Sequence, residues 1–354
     1  MKNKFIEKIL KDKKIDGILI HNPVNTFYLT KFHSSNSFIL ITKDGKKFYF
    51  TDTRYYNAAE IFFQESEFMP ILLDWKSIDS MIRHYKIDNL VIESDFWTLN
   101  QYDKLRETLK NINLVSTDFS KLRIFKTRSE IMKIKDSIIL AEKVMDYLVN
   151  NIKIGMTEIE VEKMATIQGL KLGAEKNSFD FIVATGVNGD SPHYKPNNSK
   201  VQDNQLITID MGFVKDGYCS DITRTFKTSE SIDPKLEEIY KVVLKANKAV
   251  TKIAKPGMSA KELDKVARDI IEKAGYGKYF GHGLGHGLGI EIHEAPTVSF
   301  KSIDKLEPGM VISNEPGIYV PGLGGVRIED ILVITKEGNE NLTNFSKRLI
   351  KINN

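Results

Sequence analysis

The chain has 354 residues, of which 41% are hydrophobic and 28% charged, and its formal net charge is +4. This composition excludes a disordered, collagen-like or disulfide-stapled chain, and the length favours two domains. The lysines are spread along the sequence instead of forming a basic arm, so we expect no nucleic-acid partner.

The cysteine content and the N-terminal segment indicate a compartment. Cys219 is the only cysteine, so no disulfide forms within the chain, as is usual in a reducing cytoplasm. Charged residues interrupt every apolar pair near the N-terminus, which predicts an amphipathic helix and no signal-peptide core. No apolar run approaches the roughly 20 residues that cross a bilayer. We therefore expect a soluble, cytoplasmic protein without a membrane partner.

The first part of the chain alternates helix and strand signals. KDGK at 43–46 lies between two apolar runs and is typical of a hairpin turn. We predict an α/β domain of mixed sheet over residues 1–124, without a catalytic cluster. Its predicted helices cover 5–14 and 55–63, with another after Asp79, and its predicted strands cover 17–20, 38–42, 47–51, 90–94 and 112–115.

The second part, residues 125–354, contains an internal repeat. A long helix is predicted to begin after Thr127, which forms a capping box with Glu130. Further on, KIGMTEIE at 153–160 aligns with KPGMSAKE at 255–262, and each copy carries a capping box of its own. We therefore predict a domain with pseudo-twofold symmetry.

Each copy of the repeat is followed by two acidic residues at matching positions. Asp210 and Asp221 follow the first copy, and Glu315 and Glu329 follow the second. Strands are predicted at 206–214 and 218–226, and a two-residue turn between them would place Asp210 and Asp221 on one face. Their backbones would then lie about 7–8 Å apart as diagonal neighbours. We expect the four carboxylates to converge on a shared centre.

A buried carboxylate inside an apolar strand needs either a salt bridge or a bound cation. For a single acid of this group, a salt bridge to Arg224 or Arg327 is the simpler interpretation. Four acids in matching pairs, together with a histidine cluster, favour metal. Two divalent ions about 3.5–4 Å apart can activate water for amide hydrolysis.

Four histidines lie in the second domain: His193, His282, His286 and His293. In the run from 281 to 289 every second residue is glycine, which disfavours a helix and predicts an extended segment in close contact with other backbone. A plain loop or a metal-scavenging tract would show a similar composition. The apolar residues Ile290 and Ile292 favour an ordered core. Oxygen ligands with one imidazole suit Mn²⁺, Co²⁺, Fe²⁺ or Zn²⁺.

The second domain resembles the pita-bread-fold metallopeptidases, namely aminopeptidase P, prolidase and, more distantly, methionine aminopeptidase. In the first domain, YLTKF at 28–32 and TDTRY at 51–55 resemble the creatinase-type N-terminal domain, which methionine aminopeptidase usually lacks. The second-domain motifs stand in the family order: SPHY at 191–194, DMG at 210–212, GYCSDITR at 217–224, HGLGHGLGIEIHEAP at 282–296, EPGIY at 315–319 and VRIED at 326–330.

The resemblance implies a fold, a reaction and a set of residue roles. The fold is an α/β N-terminal domain followed by an α+β pita-bread domain, and the family usually forms homodimers. Asp210 would hold one metal ion and His286 with Glu315 the other, while Asp221 and Glu329 would bridge both. Four further residues would bind the substrate or orient the acids: His193, His282, His293 and Arg327. Tyr319 has either a site role or a core role.

The resemblance also implies hydrolysis of the bond between an N-terminal residue and a following proline, with two divalent ions, Mn²⁺ first among them. Many prolidases carry an arginine directly after the His-Glu-x-Pro motif, where this chain has Thr297. This difference favours an Xaa-Pro aminopeptidase acting on longer peptides over an Xaa-Pro dipeptidase. A creatinase-like or non-catalytic member of the fold is a remote alternative, because such members lose the metal ligands.

Overall fold

The computed structural model describes residues 4–352. Contacts divide the chain into two compact units, the first ending at Arg123 and the second beginning at Ile124. Within the described residues, no helix combines the length and apolar character needed to cross a membrane.

The first unit is a six-stranded sheet flanked by short helices. Its strands are β1 (Gly17–Ile20), β2 (Ser37–Thr42), β3 (Lys47–Thr51), β4 (Phe68–Leu72), β5 (Asn89–Glu93) and β6 (Asn113–Thr117). Its helices are α1 (Lys4–Leu10), α2 (Pro23–Thr30), α3 (Tyr56–Phe62), α4 (Trp75–His84) and α5 (Leu99–Thr108). The strand order is β4-β3-β2-β1-β5-β6, with β1–β2 and β2–β3 antiparallel and the other pairs parallel. The predicted α/β unit with a mixed sheet is confirmed.

Most elements of this unit match the prediction, but several differ. The hairpin turn between β2 and β3 is confirmed, since the amide of Gly45 donates to the carbonyl of Thr42. Helix α1 ends at Leu10 instead of Lys14, because the chain turns there and Asp12 accepts the amide of Lys14. Helices α2 and α5 and the edge strand β4 had no clear sequence signal, and α4 begins at Trp75, before the predicted start after Asp79. Pro70 inside β4 is tolerated because an edge strand can lack one donor.

The second unit contains four long helices and several small sheets. Its helices are α6 (Arg128–Asn151), α7 (Glu158–Lys171), α8 (Pro234–Ile253) and α9 (Ala260–Lys273). The first group of strands is β7 (Lys176–Asn177), β8 (Ile182–Thr185), β9 (Leu206–Met211), β10 (Phe213–Lys215), β11 (Tyr218–Cys219) and β12 (Ile222–Lys227). The second group is β13 (Gly285–Gly287), β14 (Glu294–Val298), β15 (Val311–Asn314), β16 (Gly317–Val320), β17 (Gly324–Arg327), β18 (Asp330–Ile334) and β19 (Asn339–Asn341).

Capping side chains explain where three of these helices begin. Thr127, Thr157 and Ser259 each accept the amide three residues further on, and the glutamate at that position binds back to the cap. All three capping boxes were predicted from the sequence. Such caps stabilise a helix start by about 1 kcal/mol each.

The internal repeat is visible in the backbone hydrogen bonds. The amide of Gly155 donates to Val201 and the amide of Gly257 donates to Leu306, each at 2.8 Å. The reverse bonds, from Val201 to Met156 and from Leu306 to Met258, are also 2.8 Å long. Each copy therefore has the same turn before its second helix, pinned to the same later segment, and the predicted pseudo-twofold repeat is confirmed.

The two halves of the second unit meet along β12 and the segment from β17 to β18. The amide of Glu329 donates to the carbonyl of Thr223 at 3.1 Å. The hydroxyl of Thr225 donates to the carbonyl of Arg327 at 3.1 Å and accepts its amide at 3.3 Å. Two large apolar clusters, one per half, pack the helix pairs against their strands. The hydrogen bonds along this seam bring the acidic residues of the two halves next to each other.

Candidate metal centre

The nine residues that the sequence singles out line a single cavity of about 800 Å³ in the second unit. They come from both halves of the repeat. The cavity holds Asp210, Asp221, His193, His282, His286, His293, Glu315, Arg327 and Glu329. No member of the predicted set lies elsewhere.

The first half positions Asp210 and Asp221 through a hairpin. Asp216 and Gly217 have φ angles of 49° and 74°, as a type I′ turn requires. Lys215 pairs with Tyr218, and beyond a break in the ladder Asp210 pairs with Thr223 in the same register. The register is the predicted one, so Asp210 and Asp221 project to one face.

The two long strands predicted for this hairpin are each divided, however. β9 ends at Met211 and β10 begins at Phe213, and the two belong to different sheets. A Cβ on Gly212 would lie 1.9 Å from the carbonyl oxygen of Ser220, so the backbones cross too closely for a regular ladder. The Ser220 hydroxyl instead accepts the amide of Phe213. Because this break is a tertiary contact, strand periodicity does not predict it.

The second half positions His286 and Glu315. His286 lies on β13, where a Cβ at Gly285 or Gly287 would lie 2.2 or 2.3 Å from a neighbouring carbonyl oxygen. The predicted close approach of the glycine-rich segment is therefore present. The Nε2 atom of His286 lies 3.2 Å from Glu315 and 3.6 Å from Asp221. Its Nδ1 atom lies 3.0 Å from the carbonyl of Gly287, so Nδ1 carries a proton, and Nε2 faces the acids.

Burial and mutual repulsion control the protonation of these groups. Burial, followed by the neighbouring carboxylates, raises the pKa of Asp221 and of Glu329 well above the usual range. Burial alone would raise the pKa of Glu315, but the hydrogen bond and charge of His286 lower it to about 2. Burial likewise lowers the pKa of His286, and Glu315 reverses this effect and raises it to about 9. The cluster therefore favours additional positive charge.

Arg327 supplies part of that positive charge. Its guanidinium donates to Asp210 at 2.5 Å, to the Thr223 hydroxyl at 3.1 Å and to the Tyr319 hydroxyl at 2.7 Å. Asp210 thus has the salt-bridge partner considered from the sequence. Arg224, the other arginine considered from the sequence, instead forms a salt bridge with Asp330 at 2.9 Å.

Two carboxylate oxygens show how well these residues fit a metal ion. Among the described residues, Asp210 Oδ1 and Glu329 Oε1 are buried and have no hydrogen-bond partner. Ligand atoms of Asp221, His286 and Glu329 lie within 4.8 Å of one another. An unpartnered buried carboxylate oxygen is costly, whereas a divalent cation would satisfy it. The donor set of carboxylates and one imidazole suits a first-row divalent ion, so the residues fit.

The remaining histidines surround this cluster. His282 Nδ1 lies 2.7 Å from the carbonyl of Gly283 and His282 Nε2 lies 3.0 Å from the Tyr319 hydroxyl. Arg327 donates to the same hydroxyl, so Tyr319 accepts from Arg327 and donates to His282. The rings of His286 and His293 are 4.4 Å apart and nearly perpendicular. Burial is the main reason why the pKa values of His282 and His293 are lowered, which keeps both rings neutral at pH 7.

Sequence reasoning missed two hydroxyl groups and left a third undecided. Thr223 donates to Glu329 at 2.8 Å, and Ser313 donates to Glu315 at 2.9 Å while accepting the amide of His286. Tyr319, which the sequence left between a site and a core role, connects Arg327 with His282. Its place in the EPGIY motif was the available signal, as the GYCSDITR motif was for Thr223; Ser313 looks like an ordinary strand residue.

Cys219 is adjacent to the site without being a nucleophile. Burial, with a contribution from Glu294, raises the pKa of its thiol to about 12. The thiol donates to the carbonyl of Ile290 at 3.3 Å. A protonated, buried thiol is inert, so Cys219 has a packing role.

The cluster of acids and histidines fits a metal centre, and comparison with known families identifies the class of protein. Residues 132–336 match the model of metallopeptidase family M24, and residues 4–125 match the creatinase/prolidase N-terminal domain. The chain belongs to metallopeptidase family M24 and is a hydrolase. These matches confirm the predicted fold class, an α/β N-terminal domain followed by an α+β pita-bread domain.

Individual relatives cover nearly the whole chain. A Mycoplasma genitalium protein provisionally named Xaa-Pro aminopeptidase is 40% identical over 335 residues, which are 94% of this chain and 93% of the relative. The solved Xaa-Pro dipeptidase from Bacillus anthracis is 37% identical with a TM-score of 0.93, covering 98% of both chains. The X-Pro aminopeptidase from Thermotoga maritima is 33% identical with a TM-score of 0.90, covering 98% of this chain and 100% of its own.

Proposed function

We propose that this protein is a two-metal Xaa-Pro aminopeptidase, which hydrolyses the bond between an N-terminal residue and a following proline. The observation that carries the proposal is the pair of buried, unpartnered oxygens of Asp210 and Glu329, found in the described part of the chain beside Asp221, His286 and Glu315. The names of the relatives support the substrate class.

In the proposed arrangement, each half of the repeat supplies ligands for one metal ion and one acid that both metal ions share. Asp210 belongs to one metal, His286 and Glu315 belong to the other, and Asp221 and Glu329 are shared. The ions would polarise the scissile carbonyl and lower the pKa of a water molecule towards neutrality. Mn²⁺ is our first choice because most donors are carboxylates; Co²⁺, Zn²⁺ and Fe²⁺ fit the same donors.

The other polar residues are proposed to bind the substrate or to orient the metal ligands. His193 and His293, both in the cavity wall, are proposed to hold the scissile carbonyl oxygen or the proline ring. His282 lines the substrate pocket, where its Nδ1 contact with Gly283 and its Nε2 contact with Tyr319 fix the ring. Arg327 donates hydrogen bonds to Asp210 and Thr223 and thereby orients the carboxylates.

An Xaa-Pro dipeptidase is the alternative, and the 37% identity to the Bacillus anthracis Xaa-Pro dipeptidase favours it. A dipeptidase must bind the free carboxylate of its substrate. Thr297, paired with His286 on the neighbouring strand, cannot supply a charge for this purpose. Arg327 is already engaged, which leaves the exposed Lys195 as the lysine in the cavity wall.

The test compares a dipeptide with a tripeptide. The protein is stripped of metal, reloaded with Mn²⁺, and assayed on Xaa-Pro and Xaa-Pro-Yaa peptides that share their first two residues. Metal-dependent cleavage of the tripeptide, with little cleavage of the dipeptide, is the expected result. Preference for the dipeptide, lost in Lys195→Met and kept in the control Lys265→Met, would establish the alternative. Failure of the reloaded protein to cleave either peptide would refute both.

We also propose a cytoplasmic homodimer that acts on proline-containing peptides without membrane or nucleic-acid partners. The family resemblance supports the dimer, and the single cysteine supports the compartment. Light scattering coupled to gel filtration measures the oligomeric state. A monomeric mass at micromolar concentration would contradict the dimer without touching the catalytic proposal.

A further inference from the structure

A buried ion pair lies outside the nine predicted site residues. The ammonium of Lys126 is 2.9 Å from Glu294 Oε2, and both side chains are only 2% exposed. The two residues are 168 positions apart in the sequence. Removing two charges from water is costly, and such pairs are often no more stabilising than an apolar pair of similar size. A positional role is therefore worth testing.

The second carboxylate oxygen of Glu294 binds the backbone of the preceding segment and closes it into a loop. Glu294 Oε1 accepts the amides of Ile290 at 3.1 Å and Glu291 at 3.2 Å. A Cβ at Gly289 would lie 2.7 Å from Glu294 Oε2, so glycine at this position makes room for the carboxylate. One carboxylate thus binds a lysine on one side and two backbone amides on the other. The residues that it closes, 288–293, are called here the staple loop.

The staple loop joins two histidines of the candidate metal centre. β13, which carries His286, ends at Gly287, and β14 begins at Glu294, directly after His293. The two imidazole rings are 4.4 Å apart across the ends of this loop. Any shift of the loop backbone therefore moves His293 relative to His286.

Lys126 and the staple loop are each held by a backbone hydrogen bond to another part of the second unit. Lys126 directly precedes the cap of α6, and its amide donates to the carbonyl of Gly309 at 2.8 Å. On the other side, the amide of Cys219 donates to the carbonyl of Gly289 at 2.7 Å. Lys126 lies just before the start of α6. The position of its ammonium group therefore determines where the carboxylate of Glu294 lies in the core.

We infer that Lys126 and Glu294 are a positioning pair, which holds the staple loop and thereby aims His293 into the cavity. The inference rests on the proposed function for the role of His293 in binding the substrate. A displacement of about 1 Å at a reacting centre can cost about 100-fold in rate, so a loop contact of this kind is sufficient to control turnover.

The experiment separates positioning from stability with four variants of the full-length, Mn²⁺-loaded protein: Lys126→Met, Glu294→Leu, the double change, and Glu294→Gln. Each is measured for kcat and KM, for urea unfolding followed by circular dichroism, and for hydrogen exchange at the amides of Ile290 and Glu291. Lys265→Met, which removes the lysine of an exposed ion pair on α9, is the control.

Lys126→Met and Glu294→Leu are each expected to lower both stability and kcat, because each removes one partner of the buried ion pair. The double change is expected to recover most of the stability, since an apolar pair replaces the ionic one. Its kcat should stay about 100-fold below the wild-type value with KM within about threefold, and the two amides should lose their protection. Glu294→Gln keeps an oxygen for the amides and should retain protection and much of the activity.

Two results would overturn the inference. If the double variant recovers kcat together with stability, the pair is merely structural. If the two amides stay protected in that variant, Glu294 does not hold the loop. An inactive wild-type protein would refute the proposed function instead, and the exchange comparison would then decide on the pair by itself.

Discussion

The two halves of the second unit present their carboxylates from equivalent strands, but they neutralise them differently. In the first half, Asp210 lies opposite Ile182 of β8. In the second half, Glu315 lies beside Leu284, whose carbonyl accepts its amide at 3.0 Å. Two residues further along, the first half has Ala184 and the second half has His286.

This difference makes the first half dependent on the second. Glu315 finds its cationic partner, His286, within its own half, at 3.2 Å. Asp210 has a buried alanine at the corresponding place, and its partner is Arg327, which comes from the other half at 2.5 Å. A duplicated backbone can therefore keep its geometry while the chemistry of the two copies diverges, provided that the halves stay joined.

The strongest test of the comparison removes one proposed shared acid from each half. Asp221→Asn and Glu329→Gln each delete a charge that both metal sites would use, so the two variants should be equally severe. We expect the catalytic rate to fall by at least about 10³-fold, equivalent to roughly 4 kcal/mol of lost stabilisation. Peptidase assays with elemental analysis of bound metal measure the effect.

Asp269→Asn is the matched control, because it removes an acid of the exposed pair on α9 and should change nothing. If Asp221→Asn were severe and Glu329→Gln were mild, the two acids would not be equivalent. The proposed sharing of both metals would then be wrong for Glu329, while the first half would retain its role.

The sequence predicts the parts of this arrangement that depend on local physics. The turn at Asp216 and Gly217 sets the register that places Asp210 and Asp221 on one face, and the capping boxes mark the helix starts of both copies. Contacts between distant segments leave no such signal. The seam from Thr223 to Glu329 and the ion pair from Lys126 to Glu294 each join residues more than a hundred positions apart. Their residue types alone do not reveal their partners.

A second test addresses the hydroxyl groups that hold one acid in each half. Thr223→Val removes the hydroxyl that binds Glu329 and Arg327 across the seam, and Ser313→Ala removes the one that binds Glu315 within the second half. We expect losses of about 10- to 100-fold in metal affinity or rate, because such supporting groups orient the ligands.

Thr223→Val should be the more severe of the two changes, since it affects both halves and leaves the buried Arg327 donor unpaired. Metal titration and peptidase assays measure the two losses under the same conditions. Thr108→Val in the first unit, where the hydroxyl binds only a helix carbonyl, is the control. A larger loss for Ser313→Ala would reverse the proposed dependence of the first half on the second.

A third, smaller effect is expected at Tyr319. Tyr319→Phe removes the hydroxyl that accepts from Arg327 at 2.7 Å and donates to His282 at 3.0 Å, while keeping the ring. We expect kcat to fall about tenfold, in the range found for groups that orient other site residues, with metal content unchanged. The control is Tyr276→Phe, whose hydroxyl binds Glu238 and should not matter. A loss of bound metal in Tyr319→Phe would show that the hydroxyl supports the ligands instead of His282.

The smallest expected effect tests the repeat itself without touching its chemistry. Gly155 and Gly257 occupy the same turn in the two copies, with φ angles of 92° and 86°, and a Cβ at either would meet nothing within 4 Å. Replacing each with alanine therefore adds backbone strain alone, at a cost of about 1 to 2 kcal/mol. The two losses should agree closely, and kcat should not change.

Urea unfolding of the full chain measures this effect, followed by circular dichroism because both tryptophans, Trp75 and Trp97, lie in the first unit. Gly338→Ala is the control, since that glycine has open space but not a positive φ, and its substitution should be neutral or slightly stabilising. Unequal losses at Gly155 and Gly257 would mean that the two turns carry different strain, and the equivalence of the two copies would then be limited to their strands.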